Sequence, residues 1–419
     1  MANEFNIKRG FISNGDSTVN GKLTTQKLTI TSGATSGYVL TSDASGNAIW
    51  TVASAGLTKF TEAENTSAPN GTVYVDSLTA AASSTNADAV ISPKGSGAFL
   101  LRIPDNTGTG GNKRGIYAVD LSIAPSFGAY NVASGNYSAV LGGVHNASTA
   151  DYSVSMGYYN AATGTGSNVG GGVQNQATST HSSVAGGAYN NASGSNSSIA
   201  GGNSNSASGY AAFVPGGYGN AASNNYAFAV GFFNTSSGEH SGSFGSYNVS
   251  NATNSYAFGQ YASTFGILNK TVYASGRFSS TGDAQKSNFI LKASTTDATV
   301  TSLTTNGGGY TIGANNYVTL QDNQSIRFKG TIVGKKSGTT DTCAWDIDGL
   351  IVRGANAAST TLVVSNVTLV SNTPGWGVPT ILADTSIGCL NIRVSGLAST
   401  NIRWVSNLET TEVIYACLL

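Results

Sequence analysis

Between residues 127 and 262 a Gly-x-x-Asn unit returns with glycine at positions 128, 143, 157, 172, 187, 202, 217, 231 and 245, and a tenth copy at Gly259 keeps the glycine and loses the asparagine. Every spacing is 14 or 15 residues. A period this short has no room for a helical hairpin; it fits two strands of about five residues joined by two tight turns. Gly and Asn tolerate left-handed backbone at such turns, so Gly143, Gly157, Gly187 and Gly202, with Asn146, Asn160, Asn190 and Asn205, are expected there. Three residues before the glycine stands a branched apolar side chain: Val140, Val154, Val169, Val184, Ile199 and Val214. In the last copies the apolar weight moves next to the glycine, at Val230, Phe244 and Phe258. Stacking such coils gives a parallel β-solenoid rising about 4.8 Å per coil, with these nine residues turned inward. One or two valines per coil are few for a core. The coils are therefore expected to bury an apolar side against other copies of the chain, in a cyclic homo-oligomer.

Composition removes several classes of partner. Charged residues are 10% of the chain, 20 cationic against 20 acidic, and the repeats carry no Lys or Arg and only Asp151 and Glu239. Nucleic-acid binding, which rests on many cationic contacts to phosphate, is not expected. Neither is membrane insertion: no apolar run reaches 18 residues, and residues 1–10 lack the apolar stretch of a signal peptide. Cys343, Cys389 and Cys417 lack metal-ligand spacing and read as reduced packing residues of a protein made in a cytosol.

The unit Ser183-Val184-Ala185-Gly186-Gly187-Ala188-Tyr189-Asn190-Asn191-Ala192-Ser193-Gly194 resembles the head repeat of trimeric autotransporter adhesins of the YadA type, over about 140 residues. That resemblance implies a left-handed parallel β-roll and a homotrimer. Several copies here have 15 residues, with Gly-Gly where the common 14-residue unit has one Gly. A sustained heptad pattern for a stalk and a C-terminal membrane anchor are not found, so a bacterial surface adhesin is not expected.

The flanks resemble tailed-phage fibre proteins. Residues 1–56 carry short β-like runs broken by Gly and Asn, among them 10–15 and 37–50. The likeness continues in 89–98 and 111–115, then at the far end in 353–360 and 402–413. The resemblance implies a virion-attachment segment at 1–56, a β-rich connector at 57–126, the YadA-like roll at 127–267, a linker at 268–285 and a C-terminal β domain at 286–419. The last has longer alternating runs with turns about every ten residues, the pattern of an antiparallel sandwich. The fold class is thus all-β: a homotrimeric fibre with a parallel β-roll and a C-terminal antiparallel sandwich-like domain. The implied partners are two further copies, a capsid, portal or tail protein of the virion, and a glycan or protein on the host surface, after assembly in the host bacterial cytoplasm. A polysaccharide-cleaving tailspike and a capsid-decorating fibre without a receptor are the alternatives.

Candidate chemistry is sparse, and no catalytic residue, metal ligand or cofactor is expected; the chain is read as a non-enzyme. Glycosidic cleavage needs two acids flanking one bond, and Asp151 and Glu239 lie six repeats apart. Asp346 and Asp348 share one face of a strand, as a solvated face or as an acid pair that Asp384 could complete. His181 and His240 recur in a column with Tyr137, Tyr152 and Tyr226, and His145 in one with Tyr130, Tyr159, Tyr189, Phe233, Tyr247 and Tyr261. Such columns are stabilising ladders or a sugar-binding strip. Trp376, in Pro374-Gly375-Trp376-Gly377, is the receptor-binding candidate, since Trp gives large contact area at low entropy cost.

Overall fold

The structure, a computed structural model, describes residues 38–42, 45, 48–52, 60–65, 75–80, 92–101, 114–122, 132–308 and 315–415. Gly128, Cys417 and most of the expected attachment segment and connector lie outside these residues. The chain divides into two units, Met1–Ile91 and Ser92–Leu419. In the first, Tyr38–Ser42 pairs antiparallel with Ala48–Val52, and Phe60–Asn65 with Val75–Ala80.

The second unit begins as a β-solenoid. One parallel ladder runs from Phe99–Leu100 through Val119–Asp120, Ala139–Val144 and Val154–Tyr158 to Tyr256–Gln260. A second ladder runs from Val132–Ala133 to Val249–Ser250, each strand on the next in sequence. Between the ladders lie buried columns. Val140, Val169, Val184, Ile199 and Val214 form one, faced by Ala133, Ala162, Ala177, Ala192 and Ala207 from the other ladder, all without exposed surface.

Two sequence expectations are corrected here. Val154, Val230, Phe244 and Phe258 do not join the inward column but are half-buried; their neighbours Ser155, Ala229, Ser243 and Ala257 point in. Val140 pairs with Ser155 while Gly143 pairs with Gly157, with a register shift between. The 14-residue coils lack one residue between the inward position and the glycine. In a strand, a slip of one residue exchanges inside and outside. The second correction concerns core closure. Two ladders of one chain already enclose the Val column completely, so burial of these valines does not require another copy.

The inward column also matches across the coil. Where it carries Ser155 or Ser243, the residue facing it is Ser148 or Ser236, and the hydroxyls bond at 2.8 and 2.9 Å. Where it carries Val, the facing residue is Ala. These coils are internally consistent, polar against polar or apolar against apolar, as a buried hydroxyl requires a partner; in the last coil Ser250 faces Ala257, and its hydroxyl bonds Ser255 instead.

The remaining chain is an antiparallel sandwich. Its strands are β1 Thr271–Ser275, β2 Ala284–Thr295, β3 Val300–Ser302, β4 Val318–Thr319, β5 Gln324–Lys336, β6 Thr342–Val352, β7 Thr361–Asn372, β8 Thr380–Asp384, β9 Cys389–Ser395 and β10 Ile402–Ile414. One sheet runs β1-β2-β10-β5-β6-β7. Strand β1 is also the last rung of the first ladder, parallel to Tyr256–Gln260, so this sheet grows out of the roll. In the other sheet β9 pairs with β3, β4 and β8. Phe289, Phe328, Trp345, Ile347, Trp404, Leu390 and Ile392 fill the space between the sheets.

The interior of the roll ends on an ion pair. Lys270 continues the buried column of Ser241 and Ser255: the Tyr256 amide donates to the Lys270 carbonyl as the Gly242 amide does to that of Ser255. Its ammonium meets Glu412 of β10 at 3.1 Å, both side chains buried. Gln285, Ser287, Gln324 and Thr410 donate to the same carboxylate. Toward the other end Asp120, in register with Val140, takes a valine position and is held by Arg114 at 2.7 Å.

Candidate functional site

The conserved shape of each coil comes from its glycine and asparagine. Gly143, Gly157, Gly187 and Gly202 have φ between +86° and +102°. A Cβ on Gly202 would stand 2.2 Å from the carbonyl oxygen of Gly217 in the next coil, so both conformation and space demand glycine. Asn146, Asn160, Asn190 and Asn205 are not at the left-handed turn position but fully or almost fully buried beside it. The Asn205 amide Nδ2 donates to the carbonyls of Gly201 and Gly217, and its Oδ1 accepts from the Asn220 backbone N–H. The column is a hydrogen-bonded ladder inside the roll.

The left-handed residue is the one before the asparagine, among them His145, Tyr159, Tyr189, Phe233 and Tyr247, and Tyr261 before Ala262 in the tenth copy, with φ from +51° to +62°. The opposite corner repeats this geometry at Tyr117, Tyr137, Tyr152, His181, Tyr226 and His240. Left-handed backbone is uncommon for such side chains. Here the amides of these tyrosines, of His181 and His240, and of Phe233 reach the preceding coil, as Phe233 does to the Tyr218 carbonyl at 2.8 Å. The corner geometry throws the ring outward, and the coil spacing brings successive rings into contact.

Stacks result on both corners. Tyr117, Tyr137 and Tyr152 stack at 5.3 and 5.2 Å, and Tyr226 stacks on His240 at 4.9 Å. On the other corner His145 stacks on Tyr159 at 4.3 Å. Phe233, Tyr247 and Tyr261 follow at 5.6 and 4.8 Å. Beside them Tyr218 and Phe232 form a second file at 5.5 Å, and Phe232 meets Phe233 edge-to-face at 4.8 Å. These five rings make a strip two rings wide; Phe232 and Phe233 keep 42% and 43% of their surface exposed. The Arg277 guanidinium closes its end, 3.9 Å above Tyr261.

The other candidates separate. Trp376 is corrected: it is 3% exposed, lies edge-to-face against Trp404 at 5.6 Å, and exchanges two backbone hydrogen bonds with the Asn372 side chain. Its flanking glycines serve a turn that folds the ring into the core. Asp348 is paired with Arg327 at 2.7 Å and Asp346 accepts from Thr331. Asp384 belongs to the other sheet, where its carboxylate accepts the Ser386 amide. The structure does not unite the three. Among the described residues no group of three or more His, Cys, Asp or Glu is placed to hold a metal ion. No helix of the described residues is long and apolar enough to cross a membrane. Burial pushes the thiols of Cys343 and Cys389 up to about 11 and about 12.

No protein-family model matches the chain, and no curated protein does. Among solved structures it is similar to tailspike protein gp49 of Acinetobacter baumannii bacteriophage Fri1, a capsular polysaccharide depolymerase, at 7% identity and TM-score 0.19, over 65% of this chain and 61% of that one. The tailspike of Acinetobacter phage vB_ApiP_P1 follows at 9% identity and TM-score 0.19, over 67% and 64%. That of Acinetobacter baumannii phage AM24 follows at 8% and 0.17, over 66% and 54%. The chain thus spans less than two thirds of each. The expectation of a non-enzyme is corrected by the first of these, a capsular polysaccharide depolymerase, and is withdrawn.

Proposed function

We propose that the chain is a fibre or tailspike of a phage virion that attaches the particle to polysaccharide on the host surface. The observation that carries this reading is the strip of Tyr218, Phe232, Phe233, Tyr247 and Tyr261 along the roll. Pyranose rings have flat C–H faces that lie on aromatic faces, and a strip repeating at coil spacing offers a linear polymer several equivalent contacts. Tyr and Phe supply that area with little rotamer entropy to lose. The fibre-like sequence of the flanks supports the virion role, with the N-terminal part held by a capsid, portal or tail protein. The assembly is a homotrimer, as the adhesin-like repeat implies, and the half-buried Val230, Phe244 and Phe258 are the residues assigned to its interface.

Fluorescently labelled full-length protein should adsorb to capsulated host cells, and purified capsular polysaccharide should compete. The same incubation, followed for new reducing ends, tells a tailspike that cleaves the polymer from a fibre that only binds it. Adsorption that is indifferent to capsule, with no release of reducing ends, would sink the polysaccharide reading.

A further inference from the structure

The end of the sandwich remote from the roll carries a cavity of about 610 Å³. Strand β2 meets the roll's last rung around Asn288 and runs on to Thr295, roughly 20 Å further at strand rise. There Thr295 pairs with Ile402, which pairs on its other side with Lys336; one residue along, Arg403 lies between Ser294 and Lys335. The cavity is bounded by these strand ends, the β5–β6 turn with Ser337 and Thr339, and Asn401.

Its charge is one-sided. Lys335, Lys336 and Arg403 line it, and no carboxylate does. Lys336 has Asp341 at 3.4 Å beyond the wall. Lys335 donates to the Thr339 carbonyl at 2.7 Å, a neutral partner. Lys335 and Arg403 are directly opposite across two strands, both exposed. Like charges so placed destabilise a sheet, and an anion between them reverses the sign. The floor is rigid: the Trp404 indole N–H donates to Thr295 Oγ1 at 3.0 Å, and Trp404 packs on Trp345 and Trp376.

We propose that this cavity binds an anionic group borne by a hydroxyl-rich polymer, the carboxylate of an acidic sugar or a backbone phosphate. Lys335 and Arg403 would hold the charge, and Ser294, Thr296, Ser337 and Asn401 the neighbouring hydroxyls. The assignment rests on the surface-polymer reading above but adds a second, charge-reading site far from the ring strip.

Calorimetry on the full chain tests it with three probes: a glucuronate-containing oligosaccharide, a glycerol-phosphate oligomer and a neutral glucan oligomer. At least one anionic probe should bind at least tenfold more tightly than the glucan, with affinity falling as salt rises. The stronger anionic probe identifies the source of the charge. The double variant Lys335→Gln/Arg403→Gln should lose that preference tenfold or more, while Lys329→Gln, outside the cavity, keeps it. Circular dichroism melting establishes that each variant is folded, and Arg403→Lys, which retains the charge, should keep most of the preference. Equal binding of all three probes, or an unchanged preference in the double variant, overturns the tip site; glucan binding lost on removal of ring-strip side chains would then still uphold the polysaccharide reading.

Discussion

At the residue scale, the repeat glycine and asparagine play different parts, and only the first was legible. A glycine recurring in ten copies announces a position without room for Cβ, and Gly202 occupies one. The asparagine suggested a turn residue because Asn tolerates positive φ. The left-handed position is in fact its predecessor, filled by Tyr, His, Phe, Gln, Ser or Gly. The signal was there: nine copies keep Asn and none exchanges it for Gly, which a purely conformational role would allow. Gly202→Ala should lower the melting temperature sharply, since the added methyl meets a backbone carbonyl that cannot move without its own ladder. Asn205→Ala strands the Gly201 carbonyl and the Asn220 amide, while the Gly217 carbonyl keeps the Asn203 amide; roughly 2–4 kcal/mol of stability should go, measurable by urea unfolding. Val184→Asp places an unpaired carboxylate in the sealed column and should cost several kcal/mol (about 2–5), whereas Ser208→Asp, at an exposed position, should be nearly neutral. Equal midpoints for those two would show that the faces are misassigned.

At the element scale, the junction of roll and sandwich depends on charge. Burial lowers the Lys270 ammonium from its usual 10.5, opposed by Glu412. For Glu412 burial acts upward, but Lys270 and the donors Ser287, Gln285 and Thr410 outweigh it and hold the carboxyl below 4.5. Asp283, whose carboxylate accepts the amides of Ser280, Ser279 and Phe278, is likewise held below 3.8 despite desolvation. A carboxyl lowered on folding stabilises above its unfolded pKa and loses that contribution as pH falls through the folded one. Thermal stability should therefore hold from neutrality to about pH 5 and fall steeply below about 4; Asp283→Asn should flatten part of that fall, and an unchanged profile would contradict the assignment. Lys270→Met leaves a buried carboxylate alone and should cost about 3–5 kcal/mol, with Lys270→Met/Glu412→Leu recovering much of it. Neither partner was visible in the sequence, because 142 residues separate them and only the stacking of coils shows that Lys270 stands in a serine column. The two-residue alternation of 344–352 in β6, by contrast, pointed to the sandwich directly.

At the scale of the whole molecule, the sequence conveyed the architecture better than the site. A period of 14 or 15 with Val, Gly and Asn in phase permits little besides a solenoid. Whether a ring is displayed or buried depends on neighbours distant in sequence, and Trp376 between two glycines looked displayed while Asn372 and Trp404 fold it inward. The homotrimer assignment predicts a native mass of three chains; a stable single chain in solution would remove it without disturbing the roll, whose core closes within one copy. The central claim, that the ring strip of the roll is the surface that meets polysaccharide, is tested most directly by titrating capsular polysaccharide into the full-length protein and into its Phe232→Ala/Phe233→Ala/Tyr247→Ala variant. These side chains are partly exposed and outside the buried columns, so the variant should keep the wild-type circular dichroism spectrum. The account predicts that it binds the polymer at least tenfold more weakly; a folded variant with undiminished affinity would contradict it.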